Sequence, residues 1–446
     1  MNDLRSIPGV DRLLGDLADT LLPPPVLTGV VRRCLETIRG EEDVPDYEEI
    51  LDRVKAAISR VSRTRLQAVL NGTGIIIHTN LGRAPLGPAQ RASLDAISSQ
   101  YNNLEFDLNT GKRGGRVAYL EEALAEATGG EAATVVNNCA AALVLILKTF
   151  AHGKEVIISR GELVQIGGGF RIPDIMESSG ARLKEVGATN RTSIKDYAQA
   201  IGPDTGLLLK VHQSNFDMTG FVAAPTTNEL AKLAEERQLL FVEDLGSGAL
   251  VPLEKRAAIA HEPTPQEILK QGCHLVCMSG DKLMGGPQAG ILSGRRNLVS
   301  AIKANPFFRA LRCDKLILAA LQNTVDAYLS GEADRHIPVL ALMAIPLETL
   351  HERGTRILED LDQAKGLSLG EGVSKMGGGA MPSAEIPSLT IEIRIPDLKP
   401  KDVGYQLRLN TPPLIGYVEN DCFKIDLRTI FPEQDAIVVQ QLQGLY

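Results

Sequence analysis

The sequence predicts an α/β protein with a mostly parallel sheet, a helical region before it and a small α+β region after it. Three observations lead to this fold class. The first 70 residues have helical apolar spacing, short β-branched runs alternate with helix-length segments to about residue 300, and helices then precede alternating strands. At 446 residues the chain is too long for one ordinary core. We therefore expect three domains, at 1–70, 71–300 and 301–446.

The amino-terminal region is predicted to be helical. LTGVVRRCLETIR and YEEILDRVKAAISRV repeat apolar residues at helical spacing, and breaks rich in proline or acid flank them at Pro23–Pro25 and Glu41–Asp43. Basic residues then accumulate within a short stretch: Arg53, Lys55, Arg60, Arg63 and Arg65. This pattern is typical of a solvated helix face, and a phosphate-contacting surface is the alternative.

The central region is predicted to carry buried parallel strands joined by crossover helices. Its apolar runs are ATVV at 133–136, EVIIS at 155–159, LLLKVH at 207–212, LLFVED at 239–244 and HLVCMSG at 274–280. Several of them end in polar or glycine-rich turns, namely VVNN, ISRGE, VHQSN, VEDLGSG and MSGDK. Because ligands bind outside the carboxyl ends of strands in open α/β sheets, these turns should converge on one site.

The carboxyl-terminal region changes texture again. FFRALRCDKLILAALQNTVDAYL predicts a long helical region, and SLTIEIRI, PLIGYVEN and CFKIDLRTI predict alternating strands. This order is typical of a smaller α+β domain.

Composition and charge exclude several classes of protein. A net charge of −8 argues against non-specific wrapping of nucleic acid, although a local basic patch is compatible with it. The chain has no apolar run near the roughly 20 residues that cross a membrane, and MNDLRSIPGVDRLL lacks a signal-peptide core. The six cysteines are scattered, and no second Cys/His pair completes a zinc site around Cys273 and Cys277. We expect a reduced, metal-free cytoplasmic protein that does not enter membranes.

Two strand ends carry groups that suit an anion and a cation. At Asn137 and Asn138 a strand passes into an alanine-rich helix, whose amino terminus would stabilise a phosphate. An ordinary helix cap by either asparagine is the alternative. Asp244 ends another apolar strand, and a buried carboxylate there needs a protonated ring nitrogen, a metal or an arginine as its partner. A helix cap is again the alternative.

Lys282 lies among turn residues in CMSGDKLMGGPQAGIL and faces a predicted buried strand. A surface lysine needs no such setting, whereas a nucleophilic lysine does, because only a desolvated amine is substantially neutral near pH 7. Ser279 precedes it by three residues. An anion-binding helix terminus, a buried acid and then a serine before a lysine form the plan of a pyridoxal-phosphate enzyme.

Several longer motifs strengthen this interpretation. They are LRSIPGVDRLL, NGTGIIIHTNLGRAPL, YNNLEFDLNTGKRGGR, SRGELVQIGGGFRIPDIM, EVGATNRT and SGDKLMGGPQAGI. Together they resemble the bacterial selenocysteine synthase family, the L-seryl-tRNA(Sec) selenium transferases, from about residue 4 to the final IDLRTI. The resemblance implies a fold-type-I, aminotransferase-like enzyme that depends on pyridoxal 5'-phosphate.

The resemblance also implies roles for individual residues. Lys282 holds the cofactor and later carries protons, with Asp281 beside it as the second catalytic residue. Asp244 pairs with the pyridine nitrogen. Ser279, together with the turn at Asn137 and Asn138, holds the phosphate.

Further roles concern the ring face and the selenium donor. His212, in KVHQSN, would contact the ring or its 3'-oxygen, with a satisfied core histidine as the alternative. Arg83, Arg309 and Arg312 match the positions that bind the selenophosphate anion in the family. Three guanidiniums in one pocket suit a dianion, because they form charge-assisted bidentate bonds. Cys313 is expected to be a packing residue.

The reaction implied is the conversion of L-seryl-tRNA(Sec) to L-selenocysteinyl-tRNA(Sec) by β-elimination of water and addition of selenium. The helical domain would bind the tRNA, and dimers would assemble into a ring, a decamer.

An ester-linked substrate has no free α-carboxylate, so no arginine clamp is needed, and Arg428 is the residue to check for one. The alternatives are a lyase or desulfurase acting on a free amino acid, and a non-catalytic RNA-binding protein.

Overall fold

A computed structural model describes residues 6–17, 20, 22–166, 169–362 and 365–446. The first motif residues, 4–5, and the glycines at 167–168 lie outside the described residues. The chain divides into two compact units, Met1–Val69 and Leu70–Tyr446. The predicted further boundary near residue 300 stays a prediction.

The first unit is helical in its described part. Its helices are Val10–Gly15, Pro24–Arg39 and Tyr47–Ser62. Proline at the start of the second helix has no N–H to leave unpaired, and the Asp46 side chain caps the third by accepting from the N–H of Glu49 at 2.9 Å. The apolar faces of these helices form a separate small core around Val31, Leu35, Ile38, Ile50 and Val54.

The basic stretch of this unit is partly neutralised within the unit itself. Arg53 donates to Glu41 at 2.7 and 2.8 Å and to Glu49 at 2.6 Å. Lys55 pairs with Asp52 at 3.7 Å. Arg60, on the same helix, has an exposed side chain.

The second unit is organised on a seven-stranded sheet. Its strands are β1 Ala132–Val136, β2 Glu155–Ser159, β3 Arg182–Val186, β4 Thr205–Val211, β5 Leu240–Gly246, β6 Leu275–Ser279 and β7 Gly290–Gly294. Their spatial order is β1-β7-β6-β5-β4-β2-β3. All neighbours pair in parallel except β7, which runs antiparallel to β1 and β6.

Most of these strands were predicted, and the reason is their burial on both faces. In β5, Phe241 packs into one core layer and Val242 into the other, so the strand reads as a continuous apolar run. The edge strand β3 was not predicted, because three of the five residues in RLKEV are charged, so this largely exposed or half-buried strand does not read as an apolar run.

Helices pack on both faces of this sheet and continue beyond it. In chain order the helices up to the second sheet are Pro88–Ser98, Ala118–Thr128, Cys139–Phe150, Ile172–Ser179, Ile194–Ala200, Thr227–Glu236, Pro265–Lys270, Arg296–Ala304, Phe308–Leu311, Lys315–Leu329, Ala333–His336 and Pro338–Ala344. The long helical region after residue 300 is therefore interrupted. Asp314 caps the helix Lys315–Leu329 by accepting from the N–H groups of Leu316 and Ile317. None of the described helices combines the length and apolarity needed to cross a bilayer.

A second, antiparallel sheet follows. It contains β8 Leu367–Lys375, β9 Glu385–Ile393, β10 Tyr417–Glu419 and β11 Cys422–Asp426, in the order β8-β9-β11-β10. The helices Leu347–Asp360, Pro400–Leu409 and Asp435–Gln443 accompany it.

The segment that enters the second unit ties this sheet to the site described below. The N–H groups of Ile76 and Ile77 donate to the carbonyls of Lys375 and Met376, at 2.9 and 2.7 Å. The segment carrying Arg83 and the loop after β8 are therefore held side by side.

Candidate active site

A cavity of about 250 Å³ lies at the carboxyl ends of β1, β5 and β6, the edge at which the sequence predicts a ligand site. Its lining residues are Arg83, Asn138, Cys139, Ala140, Leu143, Asp244, Gly246, Ser279, Asp281, Lys282 and Gln288. Six of the residues singled out in the sequence thus line one cavity.

Lys282 is buried at this cavity, with 5% of its surface exposed. The N–H of Leu283 donates to the carbonyl of Ser247 at 3.0 Å, and that of Gly285 to the carbonyl of Lys282 at 2.9 Å, so the backbone is fixed on both sides. Burial lowers the pKa of the Lys282 amine, against the opposing charge of Asp244. The amine is therefore more easily neutral than that of a surface lysine, as a nucleophile requires.

Asp244 reaches the same cavity from β5 and is 7% exposed. Its neighbour is a thiol, Cys139, whose Sγ lies 3.5 Å from Oδ1. Burial raises the pKa of the Asp244 carboxyl, while the nearby Lys282 amine lowers it. Among the described residues Asp244 has no ion-pair partner within 4 Å, so its carboxylate can accept from a cationic group placed in the cavity.

The phosphate end of the predicted site lies at the start of the helix Cys139–Phe150. The side chain of Asn138 accepts from the N–H of Ala141 at 2.8 Å, so it acts as the helix cap that was the alternative interpretation. Asn137 is exposed, outside the cavity lining, and its N–H donates to the carbonyl of Leu311 at 2.8 Å. Ser279 is buried, and Gly248 packs so closely on its carbonyl that a Cβ there would lie 2.2 Å from the oxygen.

Asp281 and Arg83 form an ion pair next to Lys282, with Nη1 and Oδ2 at 2.7 Å. Arg83 has a left-handed backbone, with φ of 64°, and the N–H of Ala84 donates to the carbonyl of Asp281 at 3.2 Å. Such a conformation costs about 1–2 kcal/mol for a residue with a side chain, and it recurs at functional sites. The pair positions the guanidinium at the cavity wall.

His212 does not line this cavity. Its Nε2 lies 3.1 Å from Oε1 of Glu262, and its backbone N–H donates to the carbonyl of Asp244 at 2.9 Å. Burial by itself lowers the pKa of His212, but the hydrogen bond and charge of Glu262 outweigh it, and the pKa is raised. The imidazole of His212 is therefore paired with the Glu262 carboxylate, which is not among the residues that line the cavity.

Arg309 and Arg312 lie apart from Arg83. They line a second cavity of about 500 Å³, so the three guanidiniums do not meet in one cavity within this chain. Cys313 is buried beside them, and burial raises the pKa of its thiol to about 12. The thiol therefore stays protonated near neutral pH.

Arg428 is not positioned as a carboxylate clamp. It is 2% exposed, and its guanidinium donates to backbone carbonyls at 2.6 to 3.3 Å, those of Leu342, Met343, Ile345 and Pro387. The Arg428 guanidinium is thus occupied by backbone carbonyls of the second unit and does not face a substrate.

Six further residues shape the cavity and were not assigned a role from the sequence. Five of them line it, and of these Gly246 and Gln288 lie within motifs that the sequence singled out; the five are Cys139, Ala140, Leu143, Gly246 and Gln288. Gly379 follows β8, and a Cβ placed on it would lie 2.8 Å from Nζ of Lys282. Only the triple glycine in KMGGGAMPS hinted at this close approach.

The groups present fit pyridoxal phosphate. Lys282 offers a buried amine for the aldehyde carbon, Asp244 an unpaired carboxylate for the ring nitrogen, and the helix beginning at Cys139 an amino terminus for the phosphate. The Sγ atoms of Cys139 and Cys277 and a carboxylate oxygen of Asp244 also lie within 4.8 Å of one another, a set that could hold a soft metal ion. A metal-free protein stays a prediction.

Comparison with known proteins agrees with this geometry. The family model described as L-seryl-tRNA selenium transferase matches residues 69–431. An L-seryl-tRNA(Sec) selenium transferase of Geotalea daltonii is 44% identical, covering 100% of both chains, and one of Carboxydothermus hydrogenoformans is 44% identical, covering 97% of this chain and 95% of the relative.

The solved structure of a D-glucosaminate-6-phosphate ammonia-lyase matches with a TM-score of 0.60 at 19% identity, over 85% of this chain and 96% of the other. This likeness confirms the predicted fold class. The family match confirms the predicted enzyme class, a transferase dependent on pyridoxal phosphate. The chain belongs to the L-seryl-tRNA selenium transferase family.

Proposed function

We propose that this protein converts L-seryl-tRNA(Sec) to L-selenocysteinyl-tRNA(Sec) with selenium from selenophosphate. One observation carries the choice of an esterified substrate. The cavity holds a buried lysine and an unpaired acid, whereas Arg428, the candidate clamp for a substrate carboxylate, is bonded to backbone carbonyls and is not among the residues that line the cavity. A free amino acid would find no clamp at Arg428 for its α-carboxylate, whereas a seryl ester has no such group.

The residues of the cavity divide the chemistry among them. When bound, pyridoxal phosphate draws electrons away from the α-carbon of the substrate amine. The carboxylate of Asp244 keeps the ring nitrogen protonated, and Ser279 and the helix amino terminus after Asn138 hold the phosphate. The Lys282 amine, once free and neutral, takes the α-proton and later returns one. Asp281 keeps Arg83 beside that amine.

The β-hydroxyl leaves as water and selenium adds to the same carbon, while the P–Se bond of selenophosphate is broken by water and phosphate is released. Arg83, Arg309 and Arg312 are proposed to hold the selenophosphate dianion by charge-assisted hydrogen bonds. Because Arg83 lines one cavity of this chain and the other two arginines line another, a site that uses all three is best served by two subunits. This supports the proposal of a dimer, and the assembly of dimers into a ring, a decamer, is proposed from the family resemblance alone.

The helical unit is proposed to bind the RNA, as the domain at 1–70. Arg60 is exposed on the helix Tyr47–Ser62, whereas Arg53 is held by two glutamates. Contacts with the RNA backbone need accessible cations such as Arg60 at only a few positions. A protein with a negative net charge can therefore still bind RNA locally. The substrate, an aminoacylated tRNA, supports a cytoplasmic location.

The decisive experiment combines borohydride trapping with two titrations. The purified holoenzyme is reduced and mapped by peptide analysis, and its visible spectrum is followed with free serine and with seryl-tRNA(Sec). Cofactor trapped on Lys282 and a spectrum perturbed only by the charged tRNA support the proposal. A response to free serine without RNA would establish the amino-acid lyase instead, and the lack of any cofactor band would refute both.

A further inference from the structure

Two thiols lie beside Asp244 in the second unit. Strand β5 pairs with β6 in parallel and places Asp244 opposite Cys277, so the two side chains share one face of the sheet. The helix Cys139–Phe150 packs on that face, and its first residue brings a thiol to 3.5 Å from Oδ1 of Asp244. The two Sγ atoms and a carboxylate oxygen of Asp244 all lie within 4.8 Å of one another. Three elements that are distant in the sequence thus bring three metal-binding groups together.

The spacing of these groups suits a soft divalent cation of the zinc class. With Zn–S bonds of about 2.3 Å and a Zn–O bond of about 2.0 Å, a tetrahedral ion holds two sulfurs about 3.8 Å apart and a sulfur and an oxygen about 3.5 Å apart. Cys139 Sγ and Asp244 Oδ1 already have that separation. The other two separations need to shorten by about 1.3 Å at most. Two thiolates also favour zinc over magnesium, which prefers oxygen ligands.

The catalytic cavity gives such an ion a route to these groups. Cys139 and Asp244 line this cavity of about 250 Å³, and Cys277 is fully buried next to them. Cys139 is only half-buried, so an ion in the cavity can reach its thiol. A water molecule from the cavity completes the tetrahedron, as in zinc sites with three protein ligands.

The cation and the cofactor both need Asp244. In the proposed function its carboxylate is the partner of the protonated ring nitrogen of pyridoxal phosphate. An ion held by Asp244 and two thiolates occupies this carboxylate and the space in front of it, where the ring nitrogen has to lie. Cation and cofactor should therefore exclude each other. This exclusion rests on the role proposed for Asp244, whereas binding of the cation does not.

We propose that Cys139, Cys277 and Asp244 form a site for a zinc-class cation that excludes pyridoxal phosphate from the cavity. The ion replaces the proton of each thiol, so two protons pass to solvent and no electrons are transferred. Binding of the ion is thus an inhibitory event that precedes capture of the cofactor by Lys282, and the holoenzyme itself carries no metal at this site.

The test is a titration of the full chain with Cd²⁺, before and after the cofactor is removed with hydroxylamine. Cd²⁺ takes the same ligands as zinc, and its bonds to thiolates absorb in the ultraviolet. The cofactor-free chain should bind a single Cd²⁺ with this absorption, and the holoenzyme should bind it at least about tenfold more weakly. Added pyridoxal phosphate should raise the apparent Kd for Cd²⁺ in proportion to its concentration. Mg²⁺ in about tenfold excess should not displace Cd²⁺.

Serine variants identify the ligands. Cys139→Ser and Cys277→Ser should each weaken Cd²⁺ binding by about tenfold or more, because one thiolate is lost. Cys422→Ser is the matched control, since this buried thiol lies in the second sheet, where it donates to the carbonyl of Ile393 at 3.5 Å, and it should leave binding unchanged. Trapping of the cofactor on Lys282 in a buffer that contains a chelator shows that each variant is folded.

Alkylation of the parent chain locates the ion without any substitution. Cys34 and Cys139 are half-buried, whereas the remaining cysteines are buried. Cd²⁺ should protect Cys139 from iodoacetamide and leave Cys34 reactive, as read by peptide mapping.

Three results would overturn the proposal. They are protection of both thiols or of neither, serine variants that bind Cd²⁺ as tightly as the parent chain, and equal binding by the holoenzyme and the cofactor-free chain. The cofactor-free chain meets no substrate in these titrations. A failure of the proposed function would therefore be seen separately, in the spectral response to seryl-tRNA(Sec).

Discussion

Replacement of Gly379 by alanine should separate the activity of this protein from its stability. Gly379 has φ of 85° and lies in the loop after β8, and a Cβ on it would stand 2.8 Å from Nζ and 3.2 Å from Cε of Lys282. The loop cannot simply withdraw, because Met376 accepts the N–H of Ile77 at 2.7 Å and a Cβ on Gly377 would already clash with the carbonyl of Ile77. The lysine amine must therefore move.

The structure sets the size of the change in stability and of the change in kcat. The left-handed backbone of an alanine costs about 1–2 kcal/mol, which lowers the melting temperature of a unit this large by a few degrees at most. An ordinary contact of about 3.5 Å requires the Lys282 amine to retreat by about 0.7 Å. Since a misplacement of about 1 Å can cost 10²-fold in rate, we expect a loss of roughly 30- to 100-fold in kcat.

The assay measures selenium transfer with saturating seryl-tRNA, together with cofactor absorbance and thermal unfolding. Gly331→Ala is the matched control, because Gly331 has φ of 76° and no atom within 4 Å of the added Cβ. It carries the backbone cost alone and should keep its activity within about twofold. The reasoning is refuted if Gly379→Ala loses no more activity than this control, or if it fails to bind RNA.

Three further predictions concern other parts of the chain. Asp244→Asn should keep cofactor that borohydride traps on Lys282 but lower the transfer rate by about 10²-fold or more, measured in single turnovers, because the ring nitrogen loses its anionic partner. Burial raises the pKa of Glu162 from 4.5 to about 7, so the folded state binds the extra proton and stability should fall as pH rises through that interval. Glu162→Gln should remove up to about 3 kcal/mol of this dependence in denaturant titrations at pH 5 and 8. Arg60→Ala should weaken tRNA binding and its salt dependence without changing the melting temperature, whereas Arg53→Ala should lower the melting temperature.

The main elements of the site could be predicted from the sequence because they lie where buried strands end. Asp244 and Lys282 stand out, since an ionisable group directly after an apolar run must be either paired or functional. The edge strand β3 was not predicted because three of its five residues are charged, so it forms no apolar run. Gly379 could not be placed, because its contact with Lys282 depends on how the second sheet packs against the entering segment.

The arginines show a different limit. Sequence similarity groups Arg83 with Arg309 and Arg312, but a single chain separates them into two cavities. Guanidinium groups are long and accessible, so their meeting point depends on tertiary and quaternary geometry that periodicity does not encode. Asn138 is ambiguous for a local reason, because a helix cap and a phosphate cradle require the same residue at the same position.

The hydrogen bonds that Arg428 makes within the second unit bear on which substrate the enzyme can bind. Its guanidinium donates to the carbonyl of Leu342 in the helix Pro338–Ala344, to that of Ile345 directly after this helix, and to that of Pro387 in β9. Turning this side chain toward the cavity to clamp a carboxylate would leave those buried carbonyls unpaired, at about 1–3 kcal/mol for each. A substrate carboxylate could offset that cost only in part, because the new ion pair would itself be buried and desolvated. The packing of Arg428 therefore disfavours its use as a carboxylate clamp, and an ester-linked substrate needs no such clamp.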